Sequence, residues 1–301
     1  MKKILFVLSC FLLTCSFKTK AQTPDRILEI FPQFTGIYDN VPYANDTLKK
    51  HLLDIYLPPT GKSSYPVVIW VHGGAWMSND KYADMSYMKQ TLKGFIDSGY
   101  AVASIDYRWS TTAIFPAQIQ DCNQAVEFLY QNAAKYHLDR DKFALIGFSA
   151  GGHLASLMGL SNNSNIKDFY ADGKKPHFKI KLVLDFYGPS DLLKLKGNDS
   201  NDPKNPITLL LGGRAVDKPE LATKASPITY ADKNDPPFLI VQGEKDESVN
   251  PDQSATLAAR LSQLDVKNEF FIVPGAPHYG VMFDTENIRE RIFFFLKEYL
   301  K

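Results

Sequence analysis

The chain has 301 residues, of which 45% are hydrophobic and 22% charged, so it can bury a sizeable core in one large α/β domain or two ordinary ones. Its formal net charge of +1 gives no electrostatic reason to expect nucleic acid or an anionic membrane surface as a partner. Its His, Cys and Asp residues form no cluster with the spacing of a metal site, and we expect neither a metal nor a cofactor.

The first 21 residues have the pattern of a secretory signal peptide. Residues 1–3 are a short basic start, residues 4–17 are mostly apolar but too short to span a bilayer, and residues 19–21 give a small-x-small cleavage pattern. We therefore predict export to the periplasm or the medium. Lipidation at Cys15 or Cys10 is an alternative, since the leader loosely resembles a lipoprotein signal, and an N-terminal membrane anchor is disfavoured by the short, interrupted apolar run.

Cys122 is the one cysteine that remains after cleavage of such a leader, so the mature chain is expected to fold without an intramolecular disulfide. It lies in a helix pattern among apolar residues. This context predicts a small buried side chain rather than a catalytic thiol.

Strand and helix patterns alternate along residues 22–301, which we expect to form a single domain. Strand patterns cover residues 51–57, 66–71, 100–105, 142–146, 180–186, 238–242 and 269–273, and helix patterns cover residues 85–98, 115–136, 254–264, 287–300 and the segment that starts at 151. This alternation predicts an α/β fold with a mostly parallel central sheet and helices on both faces. The first strand or two, which precede any helix, are expected to pair antiparallel at one edge.

Residues 187–237 interrupt this alternation. They contain no strand pattern, only short helical fragments such as residues 207–211, and are rich in Pro, Gly, Asp and Asn. An irregular insertion of this length in a compact domain is typical of a functional loop or lid. We predict a lid-like insertion rather than a separate domain.

Ser149 lies among small residues where a strand pattern ends and a helix pattern begins. Gly147 and Gly151 flank it in a Gly-x-Ser-x-Gly motif, the pattern of a nucleophile elbow. A side chain at either glycine would collide across so tight a turn, and the helix that follows directs its positive end at a developing oxyanion. The motif occurs by chance in many proteins, so the rest of the chain must supply its partners.

Two strand ends supply those partners. A serine hydroxyl needs a base, and His278 follows the last predicted strand, at the sheet edge where ligands bind in open α/β folds. The carboxylate that orients the imidazole should follow the preceding strand, where we choose Asp246 over its neighbours Glu244 and Glu247. The chain order Ser, Asp, His is the one that the α/β-hydrolase arrangement requires.

A glycine-rich turn directly after the strand pattern at 66–71 supplies candidate oxyanion donors. It consists of His72, Gly73, Gly74, Ala75 and Trp76. Small residues there let backbone N–H groups approach a substrate oxygen, and the N–H of Ala150 would complete the site. The alternatives are a plain strand-to-helix turn and a phosphate cradle, although no Gly-Lys-Ser/Thr ending follows. We expect His72 to fix the loop by hydrogen bonding, and Trp76 and Trp109 either to line the substrate pocket or to be core aromatics.

Together these motifs resemble those of α/β-hydrolase esterases. Within that superfamily the chain is similar to the hormone-sensitive-lipase-like carboxylesterases, especially the BD-FAE-like branch, which is feruloyl- and acetyl-xylan-esterase-like. Further matches to that branch are Asp106-Tyr107-Arg108, Phe115-Pro116-Ala117, Asp121 and Tyr187-Gly188-Pro189-Ser190-Asp191. The resemblance extends from about residue 52 to residue 278.

The resemblance implies a serine esterase that acts on a small-molecule or polysaccharide-linked ester without a metal or cofactor. The implied roles are Ser149 as nucleophile, His278 as general acid/base and Asp246 as its orienter, with Gly74, Ala75 and Ala150 as the oxyanion hole. The chain departs from the pattern at Ala75, where a third glycine is usual, and at Trp109, where leucine is usual. Its N-terminal segment also looks too short for a helical cap, which favours acylated polysaccharides over long-chain lipids.

Two other functions remain open. A serine peptidase of the prolyl-oligopeptidase type shares the fold and the elbow, but it is expected to carry a propeller or other gating domain, and we expect none here. A binding protein that kept the fold without turnover is expected to lack a member of the triad, and none is missing. The sequence carries no signal for the oligomeric state.

Overall fold

The computed structural model describes residues 24–164 and 166–300. The predicted signal peptide at residues 1–21, with Cys10 and Cys15, lies outside the described residues. Within the two described ranges, no helix is both long and apolar enough to cross a bilayer.

An eight-stranded sheet forms the centre of the described structure. Its strands are β1 (Gly36–Pro42), β2 (Leu52–Leu57), β3 (Tyr65–Val71), β4 (Ala101–Ile105), β5 (Leu138–Phe148), β6 (Ile180–Phe186), β7 (Phe238–Gly243) and β8 (Asn268–Val273). They lie in the order β1-β2-β4-β3-β5-β6-β7-β8. β2 pairs antiparallel with β1 and with β4, and all other pairs are parallel. The predicted mostly parallel sheet with an antiparallel edge is therefore confirmed.

Helices cover both faces of the sheet, as predicted. They are α1 (Asp25–Leu28), α2 (Lys89–Asp97), α3 (Ala117–Gln131), α4 (Ala150–Ser161), α5 (Pro206–Leu211), α6 (Pro219–Ala225), α7 (Asp252–Gln263) and α8 (Glu286–Tyr299). α2 and α8 pack in one hydrophobic core, and α3, α4 and α7 pack in the other. α3 is shorter than its predicted extent of 115–136, because the chain turns after Asn132 and reaches β5 through His137 at φ 56°.

The continuous apolar run of β3 serves both cores. Val67, Ile69 and Val71 belong to the core on the α4 side, and Val68 and Trp70 belong to the core on the α2 side. Successive side chains of a strand point to opposite faces, so a strand buried on both sides needs apolar residues at every position.

The carboxyl ends of the parallel strands meet at one edge of the sheet, and the predicted site residues lie at this edge. The turns after β3, β5, β6, β7 and β8 carry, respectively, residues 72–76, Ser149, Tyr187, Asp246 and His278. Ligands of open α/β sheets bind at this edge.

The insertion at residues 187–237, all of which the structure describes, contains no strand. It holds α5, α6 and two single 3₁₀ turns at Ala215–Asp217 and Pro227–Tyr230. Gln253, at the start of α7, holds the first residues of the insertion in place. The Gln253 side-chain oxygen accepts hydrogen bonds from the N–H groups of Ser190 and Asp191 at 2.9 and 2.8 Å. The segment is thus packed onto the sheet edge as an irregular layer.

Candidate active site

Ser149 occupies a strained turn between β5 and α4. Its backbone has φ 53° and ψ −117°, a conformation that residues other than glycine rarely adopt. The turn is held because the Ser149 N–H donates to the Phe186 carbonyl and the Ser149 carbonyl accepts from the His153 N–H, both at 2.9 Å. A Cβ on Gly147 would lie 2.1 Å from the Gly151 carbonyl oxygen. The glycines are therefore a steric requirement of the turn that presents the serine.

Gly151 offers a direct test of that requirement. A Cβ there would lie 2.1 Å from the Val71 carbonyl oxygen and 2.5 Å from that of His72, both rigid backbone atoms. We expect Gly151→Ala to lower the free energy of unfolding by at least about 3 kcal/mol. Gly173→Ala is the control, because Gly173 has φ +66° but no atom near its added Cβ, so it should lose only about 1 kcal/mol. Urea unfolding compares the two, and equal losses would contradict the steric account.

Ser149, His278 and Asp246 lie in one hydrogen-bonded line. The Nε2 atom of His278 is 2.8 Å from Ser149 Oγ, and its Nδ1 atom is 2.7 Å from Asp246 Oδ2. A carboxylate can only accept, so Nδ1 carries the proton and Nε2 of the neutral ring is the acceptor. Nε2 is thereby placed to receive the serine proton.

Asp246 is itself held in place by its loop. Its Oδ1 accepts hydrogen bonds from the backbone N–H groups of Ser248 and Val249 at 2.9 Å, and its Oδ2 accepts from the Gln242 amide at 2.8 Å. Burial raises the pKa of Asp246, but the hydrogen bond from His278 and those from the backbone outweigh it and hold the pKa below its ordinary value. The carboxylate therefore stays charged at neutral pH.

The neighbouring carboxylates have other positions. Glu244 accepts a hydrogen bond from the Gly275 N–H at 2.7 Å, and Glu247 is exposed. Of the three acidic residues in this loop, Asp246 is the one that contacts the imidazole.

For the serine esterase that the resemblance implies, we expect Asp246→Asn to lower kcat/KM for p-nitrophenyl acetate by about 10³- to 10⁴-fold, because an amide can donate to Nδ1 and favour the wrong tautomer. Glu247→Gln makes the same chemical change one position along the loop, on an exposed side chain, and should leave kcat/KM within about twofold. Steady-state rates of the two variants give the comparison. A similar loss in both would show that only the charge of the loop matters.

The turn after β3 has an unusual backbone. Gly74, Ala75 and Trp76 have φ values of 120°, 53° and 58°, and a Cβ on Gly74 would lie 2.5 Å from the Ser78 carbonyl oxygen. In the described part of the chain, no hydrogen-bond acceptor contacts the N–H of Gly74 or of Ala75. The N–H of Ala150, the first in α4, has no acceptor within its helix. These three residues line the same cavity as Ser149 and His278.

His72 stabilises this turn through a hydrogen bond and a ring contact. Its Nδ1 is 2.7 Å from the Gly73 carbonyl oxygen, and its ring stacks on Tyr107 with centroids 4.3 Å apart. The Tyr107 hydroxyl donates to the His72 carbonyl at 2.8 Å. Burial lowers the pKa of His72 to about 3, so the ring is neutral and acts as a hydrogen-bond donor to the loop. Arg108, which follows Tyr107 in the sequence, forms a bidentate ion pair with Asp121.

His153 connects Trp76 to the insertion. Trp76 lines the cavity, and its Nε1 donates to His153 Nδ1 at 3.2 Å. The other ring nitrogen of His153 donates to the Ala225 carbonyl in α6 at 2.7 Å. Burial lowers the pKa of His153 to about 4, which keeps the neutral form that both contacts need. Trp109 is not among the residues that line the cavity, and its Nε1 donates instead to the Asn79 carbonyl at 3.0 Å.

The cavity above Ser149 has a volume of about 700 Å³. The lining residues that belong to the core on the α4 side of the sheet are apolar and include Trp76 and, from the insertion, Leu195 and Ile207. On the α2 side the lining includes Tyr187, which belongs to that core, and Tyr87, which packs against it. Among residues 24–164 and 166–300, no group of three or more His, Cys, Asp or Glu side chains could hold a metal ion.

Four further residues belong to the site but were not predicted from the sequence. They are Asp84, Tyr87, His153 and Tyr187. Tyr187 could have been predicted, because it directly follows β6 at the edge where the other site residues lie. Tyr87 gave no signal, because it lies in the predicted helix at 85–98 although α2 begins only at Lys89, and Asp84 directly precedes that pattern without a motif of its own.

The strand order, the strained serine turn and the three strand-end loops define this chain as an α/β hydrolase. The BD-FAE family model matches residues 53–261, more than half of the chain, and the chain belongs to this family. Esterase LipQ of Mycobacterium tuberculosis is 33% identical over 236 residues, which are 74% of this chain and 52% of LipQ. The chain spans about half the length of the curated relatives it matches.

Solved structures give the same class. A truncated carbohydrate esterase from gut microbiota is 33% identical with a TM-score of 0.79, and the match covers 89% of this chain and 98% of that one. A bifunctional GH43-CE protein of Bacteroides eggerthii is 36% identical with a TM-score of 0.81, covering 88% of this chain and 35% of that one.

Proposed function

We propose that this protein is a serine esterase that hydrolyses carboxylic esters through an acyl-enzyme at Ser149. The observation that carries the proposal is the line of contacts from Ser149 Oγ through His278 to Asp246, at 2.8 and 2.7 Å. Two turns with free backbone N–H groups border the same cavity. The names of the relatives, an esterase and a carbohydrate esterase, support the same reaction.

Acylation begins when Ser149 Oγ attacks the ester carbonyl carbon and His278 Nε2 takes the hydroxyl proton. The carbonyl π electrons move onto oxygen, and the oxyanion accepts hydrogen bonds from the N–H groups of the turn after β3 and of Ala150. Asp246 stabilises the imidazolium. When the carbonyl re-forms, the bond to the alcohol oxygen breaks and the imidazolium gives that oxygen its proton.

Deacylation repeats these steps with water in place of the serine. His278 Nε2 takes a proton from the water as its oxygen attacks the acyl carbon. The second tetrahedral intermediate uses the same N–H donors. Its collapse breaks the bond to Ser149 Oγ, which regains a proton from the imidazolium, and the carboxylic acid leaves.

The proposed substrates are acetyl or feruloyl esters of plant polysaccharides. Support comes from the carbohydrate esterase named among the similar structures and from the apolar residues of the cavity lining, against which an acyl group can pack. The insertion at 187–237 would act as a thin lid over this part of the cavity, leaving room for a bulky alcohol. Peptidase chemistry has no comparable support.

A substrate panel tests the function and its range. Acetylated xylan, methyl ferulate and p-nitrophenyl esters of increasing chain length are compared by kcat/KM. We expect short acyl esters to be hydrolysed fastest, with kcat/KM falling as the acyl chain outgrows the cavity. Faster hydrolysis of long-chain triglyceride than of acetyl or feruloyl esters would reject the substrate class, and the absence of any ester hydrolysis would reject the function.

Export is proposed on the sequence of the leader alone, with the mature domain formed by residues 22–301. Cleavage after Ala21 and lipidation at Cys15 or Cys10 predict different masses for the mature N-terminus. Mass spectrometry of the protein recovered from its native host distinguishes them, and an intact residue 1–21 segment would contradict both.

A further inference from the structure

A chain of hydrogen bonds borders the cavity next to the triad. The Asp84 carboxylate accepts from the Gly73 N–H and from the Tyr87 hydroxyl, both at 2.7 Å. The Tyr87 and Tyr187 hydroxyl oxygens lie 2.8 Å apart. All four residues line the cavity that contains Ser149. Tyr187 is only 1% exposed, so a ligand can reach its hydroxyl only from within this cavity. The catalytic line described above uses none of these side chains.

The direction of these bonds follows from the number of protons. Burial raises the pKa of both phenols, so each has one proton at neutral pH. Burial raises the pKa of Asp84, and the hydrogen bonds from Gly73 and Tyr87 oppose that shift. With Asp84 as an ionised carboxylate, Tyr87 gives its proton to Asp84, and Tyr187 is then the donor to Tyr87. Tyr187 then has no proton left for a ligand. Its remaining lone pairs can only accept, so the pair is suited to a ligand that donates a hydrogen bond, such as an alcohol hydroxyl.

The tyrosines lie on the His278 side of the cavity. The Tyr187 ring packs against the imidazole with centroids 4.9 Å apart, and Tyr187 belongs to the core on the α2 side of the sheet. Trp76, Leu195 and Ile207 belong to the core on the opposite side. Since His278 must hand its proton to the leaving oxygen, groups beside its ring are beside the leaving alcohol, and the apolar side remains for the acyl group.

We propose that Tyr187, oriented by Tyr87 and Asp84, accepts a hydrogen bond from a free hydroxyl near the ester bond in the alcohol part of the substrate. Within the proposed class of polysaccharide esters, this places the alcohol part of the substrate on the tyrosine side of the cavity and its acyl group against Trp76, Leu195 and Ile207. The inference rests on the proposed function, because it assigns the leaving-group side from the role of His278.

The test compares two substrates that differ at the hydroxyls alone: a monoacetylated methyl xyloside and its counterpart with the free hydroxyls O-methylated. We expect wild-type protein to favour the hydroxylated substrate and Tyr187→Phe to lower the ratio of the two kcat/KM values about fivefold, the size of one neutral hydrogen bond. Tyr87→Phe should lower the ratio as well, because it frees the Tyr187 proton for donation to an ether oxygen. Loss of folded protein cancels in the ratio.

Tyr100→Phe is the matched control. It removes a partly buried phenol that lies just before β4, at the opposite edge of the sheet, and should leave the ratio unchanged. A ratio near one in wild-type protein, or a ratio unaltered by Tyr187→Phe, would overturn the alcohol subsite. Failure of the function itself gives a different result, since either neither substrate would be hydrolysed by wild-type protein or Ser149→Ala would hydrolyse both as fast as wild type.

Discussion

Ser149→Ala is expected to lower kcat for p-nitrophenyl acetate by about 10⁶-fold, the size of loss found when a serine hydrolase loses its nucleophile. Alanine leaves no atom that can bond to the acyl carbon, while the N–H donors and the cavity remain. The residual rate should then come from water attack assisted by the oxyanion donors. Steady-state hydrolysis at saturating substrate gives the measurement.

A second serine provides the control for this variant. Ser262 is exposed on α7, away from the cavity, and Ser262→Ala should keep kcat within about twofold of wild type. Circular dichroism of both variants establishes that the fold is retained. A Ser149→Ala protein that is folded and still hydrolyses the ester at the wild-type rate would reject the nucleophile.

His278→Ala is expected to cause a loss of similar size, about 10⁶-fold in kcat, because the serine and its base act as one unit. Without Nε2 at 2.8 Å, the serine hydroxyl keeps its proton and is a weak nucleophile at neutral pH. The leaving alcohol also loses its proton donor. The double variant with Ser149→Ala should be no slower than either single one, and additive losses in the double variant would contradict a shared role.

His177→Ala is the control for the imidazole. His177 is an exposed loop histidine whose Nδ1 contacts Glu127 at 2.6 Å, so it also pairs with a carboxylate but lies outside the cavity. We expect its loss to leave kcat within about twofold. A histidine–carboxylate contact alone would thus be shown insufficient for activity.

The fold and the line of Ser149, His278 and Asp246 could be predicted because they depend on chain order and on strand ends. Parallel strands bring their carboxyl ends to one edge whatever the loops do, so residues directly after β5, β7 and β8 must lie close together. The choice of Asp246 over Glu244 was harder. It depends on which side chain the loop turns inward, and the backbone N–H groups of Ser248 and Val249 fix that orientation.

The hydrogen bonds that join Asp84, Tyr87 and Tyr187 could not be predicted in this way. Tyr87 and Tyr187 are 100 positions apart, and Tyr87 lies in a segment of turns where a helix pattern was present. The local pattern predicted that α2 starts at residue 85, but it starts at Lys89. Asp84, just before that pattern, has φ 70° and accepts a hydrogen bond from the Gly73 N–H. Contacts of this kind are set by packing over the sheet edge rather than by periodicity.

The turn after β3, the proposed oxyanion hole, departs from the family pattern at Ala75. Ala75 replaces the usual third glycine, yet it adopts φ 53°, a left-handed conformation that costs alanine about 1 kcal/mol or more. Trp76, also at positive φ, is fixed through His153 to α6. This turn is therefore connected to the insertion through the Trp76 side chain, a contact that the sequence did not indicate.

The most direct test of the central claim is mass spectrometry of the protein after reaction with a p-nitrophenyl alkylphosphonate, which traps a serine nucleophile as a stable covalent adduct. The account predicts one phosphonyl group per chain, on the peptide that contains Ser149, formed in step with loss of esterase activity and absent from Ser149→Ala. A label on a different side chain, or full ester hydrolysis by protein completely labelled at Ser149, would contradict it.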